Sequence, residues 1–136
     1  MAGLTDFAEN AIQNSLYRGV AFPSLPTLYF ALFTTLPGED GTGGVEPTAP
    51  TYARVAMTAD TNNFKNPASA TQGQIQNLTK IVWPVFNIAS ANVVGFGWFD
   101  AAAAGNCWLW VDSTDVSVDA LGQPFVEVAG FTHAID

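Results

Sequence analysis

The residue types that most often perform catalysis are scarce in this sequence of 136 residues and are not arranged as a catalytic site. His133 is the single histidine, and strand alternation places it on the same face as Phe131 and Ile135, as expected for a packed side chain. The nucleophile elbow of serine hydrolases is absent. The twelve acidic residues offer many carboxylate pairs, but no spacing distinguishes one that could cleave a glycosidic bond. A small hydrolase is therefore the least favoured function, and we predict no catalytic residue and no enzymatic activity.

The sequence also lacks the residue patterns that bind metal ions or cofactors. Cys107 and His133 cannot by themselves form a zinc site, and Cys107 lies in an apolar run that predicts a buried, inert thiol. Asp112, Asp115 and Asp119 are the best calcium candidates, but they lack the glycine and the closing glutamate of an EF-hand loop. An ordinary acidic loop is favoured, and calcium binding there is left open. No phosphate-binding loop is present, so we expect no cofactor.

The tryptophans offer the one binding chemistry that the composition supports. Trp83, Trp98, Trp108 and Trp110 occupy predicted strand positions, where packing in a core is the ordinary role of an aromatic ring. Trp108 and Trp110 are two residues apart and should share one strand face, so we single them out for sugar stacking. A carbohydrate- or receptor-binding module is thus an alternative function, with a host surface glycan or receptor as its partner.

The charge balance limits the choice of partners. Twelve acidic and four basic residues give a net charge of −8, so neither nucleic acid nor an anionic membrane is expected to bind. Charged residues make up 12% of the chain, about half the usual share, which suggests that neighbouring molecules cover part of the surface. No apolar run is long enough to span a bilayer, and the N-terminus lacks the basic region of a signal peptide. We expect synthesis in a cytoplasm and retention there until assembly or release.

Hydrophobic periodicity predicts one helix, at residues 4–18. Thr5 or Asp6 can cap its start, and Gly19 can adopt the left-handed conformation that ends it. The apolar stripe consists of Leu4, Phe7, Ala8, Ala11, Ile12 and Leu16.

The remainder of the chain has the pattern of short strands separated by Gly, Pro and Asn. Residues 27–35 form a strand that is apolar on both faces, so we expect the helix to cover one of them. The sequence predicts one domain over residues 1–136, mainly β, an antiparallel β-sandwich or jelly-roll-like barrel with an N-terminal amphipathic helix. Further strands are predicted at 52–58, 78–86, 93–100, 107–111 and 125–135, the last interrupted at Gly130 by a bulge.

Two long polar segments, residues 36–50 and 62–76, are the best candidates for contact with neighbouring molecules. Arg54 is added because charges are scarce and it follows Ala53 within a predicted strand, which makes it a candidate for a buried or interfacial ion pair; an ordinary exposed arginine is an equal alternative. The predicted interface residues are Gly38, Gly41, Gly43, Gly44, Arg54, Asn62, Asn63 and Gln72.

The order of these segments resembles a family of small bacteriophage virion structural proteins, described as tail-fibre-like or head-decoration-like. The resemblance covers nearly the whole chain and departs from the family in residues 62–76 and 112–123. The segments that carry it are 4–12, 27–35, the Gly-rich 38–44, the tripeptide Tyr52-Ala53-Arg54, 77–84, 95–101 and the ending Ile135-Asp136.

The resemblance implies a β-sandwich subunit of a virion, assembled in the host cytoplasm, with no known catalysis. Its implied partners are other copies of itself and other virion proteins of the capsid or tail. Two positions on the particle exterior stay open, a tail fibre or tail tip and a capsid decoration, or cement, protein. The net charge of −8 disfavours a place beside packaged DNA.

Overall fold

A computed structural model describes residues 2–67 and 74–133, and within them the chain is mainly β with an N-terminal helix, as the sequence predicts. No helix in this part of the chain is long and apolar enough to cross a membrane. The elements are β1 (Ala2–Leu4), α1 (Asp6–Arg18), β2 (Thr27–Phe33), β3 (Val55–Thr58), β4 (Ile75–Gln76), β5 (Ile81–Val82), β6 (Val93–Phe99), β7 (Cys107–Val116), β8 (Phe125–Val126) and β9 (Thr132–His133).

Five strands form one antiparallel sheet in the order β1-β7-β6-β2-β3. β2 and β6, the strands that are apolar on both faces, lie inside the sheet, where both faces can be covered. Gly95 and Gly97 of β6 allow β7 to approach closely. A Cβ at Gly95 would collide with the Val111 carbonyl oxygen, and one at Gly97 with that of Leu109. The two glycines therefore serve the packing of the sheet.

The second layer is a ribbon in which residues 75–86 run antiparallel to residues 121–133. β4 pairs with β9 and β5 with β8, and the Trp83 N–H continues the pairing by donating to the Pro124 carbonyl over 3.0 Å. The predicted single strand at 78–86 is therefore wrong, since strand structure within it is limited to Ile81–Val82. The bulge expected at Gly130 is a turn instead, with Ala129 at a φ of 57°.

Asn77 causes the break in the ribbon. Its side chain is fully buried, donates to the carbonyls of Glu127 (2.8 Å) and Thr79 (3.0 Å), and accepts the Phe131 N–H at 2.9 Å. A side-chain amide here supplies the hydrogen bonds that a regular ladder would have made. Because buried polar backbone groups must be paired, the irregular ribbon depends on this residue.

The core lies between the large sheet and the ribbon, giving a two-layered, sandwich-like arrangement. Trp83 is fully buried, and its indole N–H donates to the Phe30 carbonyl of β2 over 3.1 Å, which ties the two layers together. The other buried apolar members are Phe30, Leu32, Ala49, Met57, Ile81, Phe86, Val93, Phe96, Leu109, Val118 and Phe131.

The helix ends as predicted, but it begins at Asp6 and not at residue 4, because Leu4 belongs to β1, and it packs elsewhere than expected. The Thr5 hydroxyl oxygen accepts the Ala8 N–H at 3.4 Å, and Gly19 ends the helix with a φ of 65°. The helix contacts β1 and β7, so the expectation that it covers β2 is wrong. The reason is β1, a three-residue strand that pairs with β7 and leaves only Thr5 before the helix begins.

We expect Asn77→Ala to lower the free energy of unfolding by about 3 kcal/mol, because it leaves buried partners without hydrogen bonds. Urea unfolding followed by tryptophan emission measures the change, since Trp83 is fully buried in the native state. Asn92→Ala is the matched control at an exposed asparagine and should change stability by less than about 0.5 kcal/mol. Equal losses in the two variants would contradict the role given to Asn77.

Candidate interaction surfaces

Arg54 holds three parts of the chain together. It stands just before β3, its side chain is 8% exposed, and its Nε donates to the Glu46 carboxylate over 3.0 Å. Its Nη1 donates to the carbonyls of Ala101 (2.9 Å) and Ala104 (2.8 Å) in the β6–β7 turn, and its guanidinium lies 3.6 Å from the centre of the Phe99 ring. The ion pair that the sequence suggested for Arg54 is thus present within the chain. A direct interface role for Arg54 stays a prediction.

Tyr52 completes this network and extends the sheet edge. Its hydroxyl donates to Glu46 over 2.6 Å and accepts the Leu32 N–H at 3.0 Å, a backbone group that lies beyond the last β2–β3 pair. Burial, together with the hydrogen bond to Glu46, raises the pKa of the Tyr52 hydroxyl well above its usual value. The tripeptide Tyr52-Ala53-Arg54 therefore fixes Glu46, and through it the shape of residues 36–50.

The glycine-rich part of residues 36–50 folds back onto the start of α1. The Asp6 N–H donates to the Glu39 carbonyl over 2.7 Å, and a Cβ at Gly41 would lie 3.3 Å from both the Cys107 carbonyl oxygen and the Thr5 side chain. Gly41 has a φ of 76°, so both its conformation and its surroundings require glycine. Its predicted interface neighbours Gly38, Gly43 and Gly44 are exposed, and their contact role stays a prediction.

The second predicted contact segment is described only in part. Asn62 is exposed, whereas the Asn63 side chain donates to the Thr58 carbonyl over 3.0 Å and accepts the Thr79 hydroxyl at 2.9 Å. Asn63 therefore links this turn to the ribbon. Gln72 lies outside the described residues.

Trp108 and Trp110 do not share a face, and that expectation is wrong. Trp98 pairs with Leu109 and Phe99 pairs with Cys107, which leaves Trp108 as an extra residue in a bulge. Trp108 is 2% exposed and stacks on Trp98, with ring centres 5.6 Å apart, whereas Trp110 packs beside Phe99 in a separate cluster. The two rings form no joint exposed platform, and sugar binding stays a prediction.

An apolar cleft of about 630 Å³ opens between the helix and the segment that follows β3. Trp98 and Trp108 form part of its wall, and Phe22 packs edge-on against Trp108 with ring centres 5.7 Å apart. Asp60 and Lys65 are the charged residues of its lining. The cleft suits an apolar group and offers no arrangement for bond-breaking chemistry.

The candidates for chemistry remain dispersed. In the part of the chain that the structure describes, no group of three or more His, Cys, Asp or Glu side chains could hold a metal ion, including Asp112, Asp115 and Asp119. Burial raises the pKa of the Cys107 thiol to about 11, and the thiol is buried as predicted. The backbone of His133 pairs with Ile75, and its side chain lies outside the described set.

The outer side of the ribbon is an exposed apolar surface that sequence reasoning missed. The sequence does contain a sign of it. Ile81 and Trp83 point into the core, and the residue between them, Val82, is also apolar, so the outer face of this strand carries an apolar side chain that nothing in the described chain covers. Lys80 lies 3.6 Å from the centre of the Phe125 ring and pairs with Glu127 over 3.1 Å. We call this surface the ribbon face; it consists of Val82 (38% exposed), Val85 (43%), Leu121 (81%) and Phe125 (52%).

We expect Arg54→Met to lower the free energy of unfolding by about 3 kcal/mol, because it leaves the Glu46 carboxylate, 25% exposed, without its cation. Arg18→Met is the matched control, since Arg18 is exposed and donates to Asn14 on the same helix. Thermal unfolding followed by circular dichroism measures both variants. The network is not structural if Arg54→Met costs no more than Arg18→Met.

Cys107 should resist thiol reagents in the folded chain, because its pKa of about 11 and its burial leave little accessible thiolate. Reaction with Ellman's reagent at about pH 8 should be slower by about a hundredfold or more than in urea, where the thiol has an ordinary pKa near 8.5. The unfolded chain is its own control. Comparable rates in the two states would show that the thiol is accessible.

A family model described as podophage GP4 fiber I protein gp80 matches residues 3–122 of the chain. The match extends from β1 through β7 and includes the Arg54 network and most of the ribbon face. No curated protein matches the chain. The family match confirms the resemblance to phage virion structural proteins that the order of the segments suggested. The chain belongs to the family of the podophage GP4 fiber I protein gp80.

Proposed function

We propose that the chain is a non-enzymatic structural subunit of a phage particle, located in a tail fibre, and that it joins other virion proteins through the ribbon face. Membership of a fibre protein family supports the place in the particle. The observation that carries the mode of assembly is the set of exposed apolar side chains of the ribbon, Val82, Val85, Leu121 and Phe125, of which Val82 and Phe125 are directly opposite each other. The partners are other copies of the chain and other proteins of the fibre, assembled in the host cytoplasm.

The use of ionisable groups supports a structural role. Arg54 and Glu46 are committed to each other, Lys80 pairs with Glu127, and the Cys107 thiol is buried with a raised pKa. Such groups hold the fold together instead of being poised to transfer protons or attack a substrate. The side chains of this protein mainly stabilise its packing and form its surfaces.

The ribbon face has the composition of an interface core. Contiguous apolar surface with an aromatic residue at its centre marks association sites more often than single exposed apolar residues do. Phe125 is opposite Val82 in the β5–β8 register, so the two side chains form one continuous surface. Burying a side chain of this size contributes about 1.5–3 kcal/mol, which makes Phe125 the expected anchor.

The electrostatics of the ribbon face also favour assembly. Copies that each carry a net charge of −8 repel one another over most of their surfaces. Beside the ribbon face, however, the charges of Lys80 and Glu127 compensate each other at 3.1 Å. Like subunits can therefore approach there with little repulsion. The exposed glycines at 38, 43 and 44 and Asn62 are proposed as further contacts at the periphery.

Phe125→Glu should remove the chain from the particle without unfolding it. Phe125 is half exposed, so a carboxylate there is hydrated in the free subunit but would lose its water in an apolar interface, which is costly. We expect copies per particle to fall by about tenfold or more when the variant replaces the gene in the phage. Quantitative mass spectrometry of purified particles, with electron microscopy to locate the subunits, measures this.

Leu16→Glu is the matched control, because Leu16 is 70% exposed and belongs to α1 and not to the ribbon. It should leave the copy number unchanged. Normal incorporation of Phe125→Glu would exclude the ribbon face as the interface. Absence of the unmodified chain from particles, or turnover of a substrate by the purified chain, would overturn the proposed function itself. Glycan binding that is lost in Trp110→Ala would favour the receptor-binding alternative.

A further inference from the structure

β7 is longer than its outer neighbour and leaves part of its edge unpaired. β1 pairs with β7 only through Ala2–Val111, Gly3–Trp110 and Leu4–Leu109, whereas β7 continues to Val116. Within residues 2–67 and 74–133, no strand pairs with the outer edge of β7 from Ser113 onward. Exposed strand edges with free N–H and C=O groups are templates for the addition of another strand.

A cleft of about 680 Å³ lies beside the same stretch, on the core side of the sheet. Its floor includes Val93 and Phe96 of β6, each 7% exposed, and its other side includes Val118, which follows β7, and Phe125 and Val126 of β8. Ser113 and Val116 of β7 also line it. A strand added at the edge of β7 would alternate its side chains, so that every second one points toward this cleft.

We propose that the open edge, residues 113–116 of β7, binds an extended segment of a different virion protein as an added strand, with alternate apolar side chains of that segment entering the cleft. This partner deepens the proposed function and rests on it. The main-chain hydrogen bonds would supply affinity, and the cleft would select apolar side chains at every second position.

The charges at the edge determine the kind of partner. Asp112 and Asp115 lie in β7, and Asp119 follows within the cleft lining. Pairing of this edge with the same edge of a second copy would place these carboxylates against one another, which is destabilising. A segment that carries Lys or Arg beside its apolar residues matches the edge instead.

The chain itself offers no such segment. Its four basic residues are Arg18, Arg54, Lys65 and Lys80, and none of them lies in a strand. Arg54 is buried against Glu46 and Lys80 pairs with Glu127. The complementary strand must therefore come from another protein, whereas the ribbon face suits copies of this one.

Two short synthetic peptides of alternating valine and threonine test the proposal with the full chain, one with a lysine at each end and one with a glutamate at each end. The lysine peptide should bind about tenfold or more tightly than the glutamate peptide at low salt. Asp115→Lys should reverse this preference, while Asp40→Lys, at an exposed site on the loop beside α1, should retain it. Fluorescence anisotropy measures the affinities.

Amide hydrogen exchange locates the binding. The lysine peptide should protect amides within residues 113–116, and resistance of Cys107 to Ellman's reagent should show that each variant is folded. Equal binding of the two peptides, no binding, or protection elsewhere would overturn the edge proposal. The proposed function would survive those results if the chain is still found in purified particles. Absence of the chain from particles would refute the proposed function, whatever the peptides do.

Discussion

Two central strands that are apolar on both faces impose the main constraint on this fold. β2 and β6 can be stable only if both sides of the sheet are covered, and the chain has little regular structure left for that purpose. The covers are a short irregular ribbon on one side and part of the loop of residues 36–50 on the other, where Leu36 packs against the second apolar cluster. Irregular segments leave backbone N–H and C=O groups unpaired. Each of the two covering segments therefore needs a buried polar side chain that hydrogen-bonds to these groups.

Asn77 and Arg54 are those side chains. Asn77 pairs the interrupted centre of the ribbon, and Arg54, with Glu46 and Tyr52, attaches the loop to the sheet and to the β6–β7 turn. These two polar side chains are therefore committed to closing the fold. Charged residues make up only 12% of the chain, and because some of them are used to hold the fold together, few are left as reactive groups.

The parts of the fold that sequence reasoning predicted are those set by local interactions. The helix bounds follow from Thr5 and Gly19, and the central strands follow from their own apolar runs. The errors arise from distant partners. The helix position depends on a three-residue strand that has no sequence pattern of its own, and the face of Trp108 depends on a bulge against β6. Glu46, the partner of Arg54, could not be identified from spacing because a loop brings the two together.

The two surfaces left by this construction differ in charge, and the difference separates two kinds of contact. The ribbon face is apolar, with Lys80 and Glu127 compensating each other beside it, so identical subunits can meet there in spite of their net charge of −8. The open edge of β7 is flanked by Asp112 and Asp115, and these acids oppose pairing between identical edges, the contact that leads to uncontrolled association of sheets. An assembling protein needs an attractive contact at one surface and repulsion at its free strand edges, because association between copies at an open edge can continue without limit. In the assembly that we propose, acidic residues at the free edge limit self-association to the ribbon face and reserve the edge for a partner of opposite charge.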